Sequence, residues 1–241
     1  MIDLHCHILA GIDDGAVDMT DSVAMARQGA ADGIDAICAT PHIRHDHDVR
    51  IAELAGRVAE LNAELERAGV PVTVIGAGEV AETAVDGLTD AELRAVALGG
   101  RWILLEPAPG PLAPSLSTTA ERLRRRGYRS LIAHPERHPA PEMSERLAEL
   151  VEAGCLVQAT AALLAEGEAS EPLLGLAREG LVHVLGSDSH SARVGRPVRL
   201  SNGLERLGED AHLRAHLDWV AHRAPLAIVR GEEIEPPFAG G

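Results

Sequence analysis

Histidine and acidic side chains recur at regular spacing in this sequence, beginning with His5-x-His7 near the amino terminus. Residues i and i+2 of a strand point to the same face, so this pair can hold one metal ion from one side. Asp188-x-His190 repeats the spacing. Imidazole and carboxylate ligands together suit Zn, Fe or Mn, and the carboxylates favour the harder ions.

Further ligand-type residues stand where short apolar runs end. In chain order they are His42, Glu79, Glu106 and His134. A lone His-x-His pair is usually an ordinary surface or core feature, but several strand ends that each carry such a residue favour a metal site. In parallel α/β barrels the carboxyl ends of the strands form the catalytic face, which predicts that these side chains converge.

The pattern of apolar runs predicts strands that alternate with helices. The predicted strands are Ile2–Ile8, Ala36–Thr40, Val72–Ala77, Trp102–Glu106, Arg129–Ala133, Leu156–Ala159 and Val182–Gly186. The predicted helices are Met19–Asp32, Arg50–Ala68, Asp90–Ala97, Ser117–Arg126, Glu142–Ala153, Glu171–Glu179 and Leu200–Arg223. This alternation predicts a parallel sheet in a closed or nearly closed barrel. We expect one domain over residues 1–234 and a frayed tail over 235–241.

Composition restricts the function classes. The chain has 241 residues, is 46% hydrophobic but only 2% aromatic, and carries a formal net charge of −15, so we expect an aliphatic core and no binding to nucleic acid or anionic lipid. The basic run Arg122, Arg124, Arg125 and Arg126 is interpreted as a solvated helix face. No apolar stretch is long enough to span a membrane, and no basic leader precedes the first strand. We expect a cytoplasmic location.

Two further counts exclude specific chemistries. All 22 basic residues are arginine, which rules out a Schiff-base lysine and a carbamylated lysine between two metals. The three cysteines, Cys6, Cys38 and Cys155, form no CxxC pair, which fits a reducing compartment.

Five segments in the same order resemble the polymerase-and-histidinol-phosphatase (PHP) superfamily: MIDLHCHILAGIDDGA, ATPH, GAGEV, IAHPERH and LGSDSH. Within it they are most similar to the manganese-dependent bacterial tyrosine phosphatases of capsule and exopolysaccharide operons. The resemblance spans Met1 to about His190. It implies an α/β fold with a distorted seven-stranded (β/α)7 barrel, and hydrolysis of phosphomonoesters with two to three bound ions of Mn²⁺, or of Fe or Zn.

The resemblance also implies roles for individual residues. The ligands of a first ion would be His5, His7, Glu79 and Asp188. A second ion would share Glu79 and add His134. The ligands of a third would be Asp14, His42 and His190. Arg137 matches an arginine near the phosphate site, and Arg196 resembles a loop arginine implicated in catalysis, with Arg193 as its competitor. From the chemistry of the reaction, His42, His190 or Asp188 would supply a proton if one is needed.

One segment departs from the family pattern. The family has another histidine shortly after the fourth strand, where this chain reads Glu106-Pro-Ala-Pro-Gly-Pro-Leu. Gly110 occupies roughly that place. We therefore expect the second ion to bind more weakly, with water, substrate or Glu106 filling the gap. The resemblance favours a place for Glu106 behind the ligands, as the same strand-end position has in the family.

Several alternatives stay open. Cys38 and Arg44 have the Cys-x5-Arg spacing of cysteine phosphatases, but the intervening residues contain Pro41 and no glycine, so they lack the backbone N–H groups that such a loop needs. An amidohydrolase, a histidinol-phosphatase-like enzyme and a degenerate metal-binding domain are the others. The expected substrate is a phosphotyrosine-bearing protein of exopolysaccharide or capsule synthesis, or else a small phosphate ester. His45 and His47 are candidates for substrate binding, whereas a second group is expected to be solvated: His212, His216 and His222.

Overall fold

The computed structural model describes residues 1–237 and contains nine short strands, every pair of which runs parallel. In chain order they are β1 (Ile2–Cys6), β2 (Ala36–Ala39), β3 (His42–Ile43), β4 (Thr73–Gly76), β5 (Glu79–Ala81), β6 (Trp102–Glu106), β7 (Arg129–Ile132), β8 (Leu156–Thr160) and β9 (Val184–Gly186). The predicted α/β class with a parallel sheet is confirmed. β3 and β5 were not predicted, and they follow β2 and β4 after breaks of two residues.

The strands form a curled surface in two hydrogen-bonded sheets, with the orders β1-β2-β4 and β3-β5-β6-β7-β8-β9. The two sheets join where β2 leads into β3 and β4 leads into β5. At the open edge Cys6 forms a bridge to Ser189, and the N–H of His7 donates to the carbonyl of Ser189 at 2.9 Å. The carboxyl ends of the first and last strands therefore meet at the same place.

Helices cover the outside of this sheet. They are α1 (Met19–Ala31), α2 (Leu54–Arg67), α3 (Asp90–Val96), α4 (Ser115–Arg125), α5 (Met143–Glu152), α6 (Ala161–Ala165), α7 (Ser170–Arg178), α8 (Ser201–Glu209), α9 (Ala211–Arg214) and α10 (Ala224–Val229), with a π-helical turn at Trp219–Arg223. The prediction of one helix over Leu200–Arg223 was wrong. Asp210 is extended there, and its side chain accepts from the N–H groups of His212 and Leu213, which starts a new helix.

The core is aliphatic, as expected, and Trp102 is its largest fully buried side chain. The arginines of α4 form surface ion pairs, for example Arg122 with Asp86 at 2.6 Å and Arg126 with Asp90 at 2.7 Å, which confirms a solvated face. Among residues 1–237 no helix has the length and apolar character needed to cross a bilayer. The last four residues of the predicted tail, 238–241, lie outside the described residues.

Candidate metal centre

The first candidate ligands lie at the carboxyl end of β1. The Nε2 atoms of His5 and His7 are 3.2 Å apart, and both rings are buried. The predicted convergence of this pair on one face is confirmed. Glu79 places Oε2 at 3.4 Å from each of these nitrogens, and Oδ1 of Asp188 lies 3.6 Å from His5 and 3.8 Å from His7.

Glu79 stands at the middle of the cluster. Its Oε2 lies 2.9 Å from Nδ1 of His42, and its Oε1 lies 2.8 Å from Nε2 of His134. Burial alone would raise the pKa of Glu79, but the charge of His5 and the hydrogen bond from His134 hold that pKa well below its usual range. The carboxylate is therefore ionised and surrounded by imidazoles, as a shared ligand would be.

A third group opens toward solvent. Oδ1 of Asp14 lies 3.3 Å from Nε2 of His42 and 3.5 Å from Nε2 of His190, and the Asp14 side chain is 58% exposed. The ring of His190 stacks on that of His7 with centroids 3.9 Å apart. Asp14 and His190 thus form the mouth of the cluster, whereas Glu79 and His5 form its floor.

Glu106 lies close to the candidate ligands, and its expected place behind them stays a prediction. One ligand atom from each of His42, Glu79 and Glu106 falls within 4.8 Å of the others, and Oε2 of Glu106 is 3.8 Å from Nδ1 of His42. Burial and the charge of Glu79 raise the pKa of Glu106. Gly110 instead has φ of +107° and accepts a hydrogen bond from Nδ1 of His138 at 2.9 Å. A histidine at this position would be strained.

The donor set fits metal ions. Buried side-chain atoms without a hydrogen-bond partner include Nδ1 of His42 and Oε2 of Glu79, although these two atoms face each other. Such atoms are costly to bury unless something else binds them. Three of the imidazoles have their outer nitrogen engaged, by Gln158 on His5, Asp13 on His7 and a backbone carbonyl on His190. This pattern is typical of histidine ligands, because it directs the other nitrogen to the ion.

Sequence reasoning missed Asp13 and Gln158. Oδ2 of Asp13 lies 2.9 Å from Nδ1 of His7, and Oε1 of Gln158 lies 2.9 Å from Nδ1 of His5. Gly15 permits the first contact, because a Cβ there would stand 2.2 Å from the carbonyl oxygen of His7. In the sequence, Gln158 could have been found as a polar amide inside the otherwise apolar strand Leu-Val-Gln-Ala-Thr. Asp13 could have been found as an acidic residue next to the candidate ligand Asp14.

Backbone strain is concentrated at two candidate ligands. Among residues 1–237, the non-glycine residues with positive φ are His134, at 29°, and Asp188, at 48°. Such conformations cost roughly 1–3 kcal/mol each and persist only where surrounding contacts impose them. Their location in the cluster supports a functional reason for the strain.

Asp188 divides its carboxylate between histidines and arginines. Oδ1 faces His5 and His7, whereas Oδ2 is bonded by Arg137 and lies 3.1 Å from Nη2 of Arg196. Burial opposes ionisation, but the charges of the nearby His5, His134 and Arg137 lower the pKa of Asp188 to about 2. The predicted arginines thus meet at one edge of the cluster.

Arg193, the alternative to Arg196, points away from the cluster. Nη2 of Arg193 lies 3.1 Å from Asp18, outside the cluster. A different arginine, Arg44, reaches the cluster from the opposite side, with Nη1 at 3.2 Å from Oε1 of Glu106 and a two-pronged pair to Asp46. In the sequence, Arg44 stands out only through the Cys-x5-Arg spacing from Cys38.

The cysteine-phosphatase interpretation is inconsistent with the structure. Cys38 is fully buried on β2, and burial raises the pKa of its thiol. Arg44 is occupied by carboxylates, so the pair cannot form a phosphate loop. His47 stacks on His42 with centroids 4.9 Å apart, whereas His45 is exposed. Of the C-terminal histidines, His212 and His222 are exposed and His216 is half-buried.

The fold and the cluster together define a parallel α/β protein with a candidate metal centre at the carboxyl ends of its strands. Residues 1–213 match the family described as capsular polysaccharide synthesis, CpsB/CapC, and the chain belongs to this family. This match confirms the family resemblance that the sequence motifs indicated.

Individual relatives agree with this assignment. The chain is 34% identical over 202 residues to the tyrosine-protein phosphatase YwqE of Bacillus subtilis (strain 168), covering 80% of this chain and 78% of that protein. It is 28% identical over 206 residues to the tyrosine-protein phosphatase CpsB of Streptococcus pneumoniae, covering 79% and 83%. A solved structure from the work on these two metal-dependent tyrosine phosphatases aligns with a TM-score of 0.83 and 29% identity, covering 97% of this chain and 96% of that one.

Proposed function

We propose that this chain is a metal-dependent phosphomonoesterase that removes phosphate from tyrosine in a protein of capsule or exopolysaccharide synthesis. The observation that carries the proposal is the meeting of buried His, Asp and Glu ligand atoms around Glu79, with Arg137 and Arg196 at one edge. The relatives named tyrosine-protein phosphatases support the choice of substrate. We assign the activity to a single domain over residues 1–234.

Two to three ions would occupy this centre, with Mn²⁺ as the first choice and Fe or Zn as alternatives. The residues proposed to hold them are His5, His7, Asp14, His42, Glu79, Glu106, His134, Asp188 and His190. Glu106 takes the place of the histidine that the chain lacks after β6. When bound, such ions neutralise the phosphoryl charge and lower the pKa of a bound water far below about 15.7.

The remaining residues bind and orient the substrate. Arg137 and Arg196 offer planar guanidinium groups that suit phosphate oxygens, and both would exchange part of their contact with Asp188 for the phosphate. The leaving phenolate has a pKa of about 10 and needs less help from a proton donor than an alkoxide does. We assign any proton donation to His42, because Asp188, with a pKa of about 2, is ionised and has no proton to give.

We infer that β2–β3 and β4–β5 are each one interrupted strand, which would give the seven-stranded barrel that the family resemblance implies. The three free, buried cysteines fit a reducing compartment, and we propose a cytoplasmic location.

A substrate panel on metal-reconstituted protein tests the proposal. Phosphotyrosyl peptide should be hydrolysed faster than phosphoseryl peptide or histidinol phosphate, a chelator should abolish activity, and Mn²⁺ should restore it. Cys38→Ser is the control and should keep nearly full activity. Activity that survives excess chelator, or a strong preference for histidinol phosphate, would contradict the proposal.

A further inference from the structure

An open groove begins beside the candidate metal centre. It has a volume of about 670 Å³ and lies between the segment Ile43–Ala52, the turn Ala84–Leu88 and one face of α3. We call it the α3 groove. Its floor on the α3 side consists of Ala91 and Ala95, which are one helical turn apart and exposed.

The groove is continuous with the metal centre through the residues that follow His42. Ile43 and Arg44 line the groove, and Arg44 extends from it to Glu106 in the cluster at 3.2 Å. His47 also lines it, and the same ring stacks on His42. The groove and the metal centre are therefore adjacent, with Arg44 and His47 between them.

The groove is apolar, and small side chains keep it open. The aliphatic lining residues are Ile43, Val49, Ile51, Ala52, Ala84, Leu88, Ala91 and Ala95. The single carboxylate among the lining residues is that of Glu92, and it accepts hydrogen bonds from the N–H and hydroxyl of Thr89 at 2.9 and 2.7 Å. The groove thus differs from the rest of a chain whose net charge is −15.

The rim of the groove carries basic side chains. Arg50 lines it, together with His45 and His47, and Arg44 lines it with its guanidinium already paired to Asp46 and Glu106. The ion pair of Arg50 with Glu53 is exposed on both sides, so it holds Arg50 only weakly. An apolar floor with a basic rim suits a polypeptide that presents an aliphatic side chain close to a phosphate.

We propose that the α3 groove binds an apolar side chain that flanks the phosphotyrosine in the substrate polypeptide. The inference rests on the proposed function and names a feature of its substrate. An extended peptide advances about 3.3 Å per residue, so the groove is within reach of side chains a few positions from a phosphotyrosine in the metal centre. A small phosphate ester has no group that would reach the groove.

Peptide selectivity tests the proposal. Two phosphotyrosyl peptides would be compared on the Mn²⁺-loaded wild type, one with leucine and one with serine at the positions flanking the phosphotyrosine, with p-nitrophenyl phosphate as the small substrate. We expect kcat/KM to favour the leucine peptide by about tenfold, as expected for partial burial of one aliphatic side chain. Equal kcat/KM for the two peptides would overturn the proposal.

Variants locate the selectivity in the groove. Ala95→Glu places a charge on the floor, and Ala91→Phe fills the floor without adding charge. Both should lose the preference for the leucine peptide while keeping wild-type kcat/KM on p-nitrophenyl phosphate. Ala59→Glu, at an exposed alanine of α2, is the matched control and should leave the preference unchanged.

The possible results distinguish failure of the groove proposal from failure of the proposed phosphatase function. If the small substrate is hydrolysed and both variants keep the preference, the groove proposal is wrong and the phosphatase proposal stands. If no phosphotyrosyl substrate is hydrolysed by metal-loaded wild type, the proposed function itself fails. If the wild type proves dimeric in solution and Ala95→Glu is monomeric with unchanged selectivity, the groove binds a second copy of the chain and the peptide proposal is overturned.

Discussion

Oε2 of Glu79 lies 2.9 Å from Nδ1 of His42, and both atoms are buried without a hydrogen bond within the described part of the chain. The same carboxylate bonds His134 and lies near His5 and His7. One glutamate thus meets histidines that lie on or just after three other strands, β1, β3 and β7. The consequences of this arrangement can be measured.

Glu79→Gln should remove the shared anionic ligand while keeping the side-chain volume. We expect loss of more than one bound ion per chain and a fall in phosphatase activity of at least about 100-fold, because the ions supply the charge stabilisation for phosphoryl transfer. Metal analysis after dialysis, together with a Mn²⁺ titration of activity, measures both. Full metal content in the variant would contradict a shared-ligand role.

Glu106→Gln and Arg44→Gln should both lower the binding affinity of one metal ion, but to different degrees. Glu106 is proposed as a ligand, and Arg44 bonds its outer oxygen at 3.2 Å, so loss of Arg44 should lower metal affinity about tenfold and loss of Glu106 more. Isothermal titration with Mn²⁺ resolves the weakest site. Arg50→Gln is the matched control and should bind as the wild type does. Three equally tight ions in Glu106→Gln would exclude Glu106 as a ligand.

Gln158→Leu should affect the centre through His5. Its amide oxygen fixes the ring and tautomer of His5, so we expect a roughly 10–100-fold loss of metal affinity, with activity recovered at high Mn²⁺. Gln158→Glu keeps an acceptor and should lose less. A variant that binds Mn²⁺ normally yet unfolds at a lower temperature would show a purely structural role.

The pair of His7 and Asp13 predicts a pH dependence in metal-free protein. Burial opposes the charge on His7, but the hydrogen bond to Asp13 and the carboxylate of Glu79 raise the pKa of His7 from 6.5 to about 10. Burial likewise opposes the charge on Asp13, but His7 lowers the pKa of Asp13 from 3.8 to about 2. The stabilisation is therefore complete between pH 3.8 and 6.5, and it is lost as pH rises toward 10 or falls toward 2.

Urea unfolding in chelator at several pH values measures this effect. The difference in unfolding free energy between wild type and Asp13→Asn should be largest near pH 5.5 and should shrink by pH 9.5. With Mn²⁺ added, the stability of the wild type should instead increase with pH. A histidine ligand must lose its proton to bind the ion, so metal binding strengthens as pH rises. A difference that is constant over the whole range would show that the pair does not titrate as described.

The sequence by itself determined the elements and the types of ligand. Alternation of apolar runs fixed the parallel α/β class, because strand and helix periodicities differ and act over a few residues. The i, i+2 spacing fixed the convergence of His5 and His7 for the same local reason. The resemblance of ordered motifs identified the family before any distance was known.

The tertiary structure decided which side chains meet across the curled sheet. Arg44 and Glu106 are 62 positions apart, and Gln158 reaches His5 across 153 positions. It also decided that Arg196, and not Arg193, faces Asp188, although the two lie three residues apart on one loop. Local spacing contains none of this information, because these contacts depend on how the sheet curls until β9 returns to β1 and on the path of the loops that follow each strand.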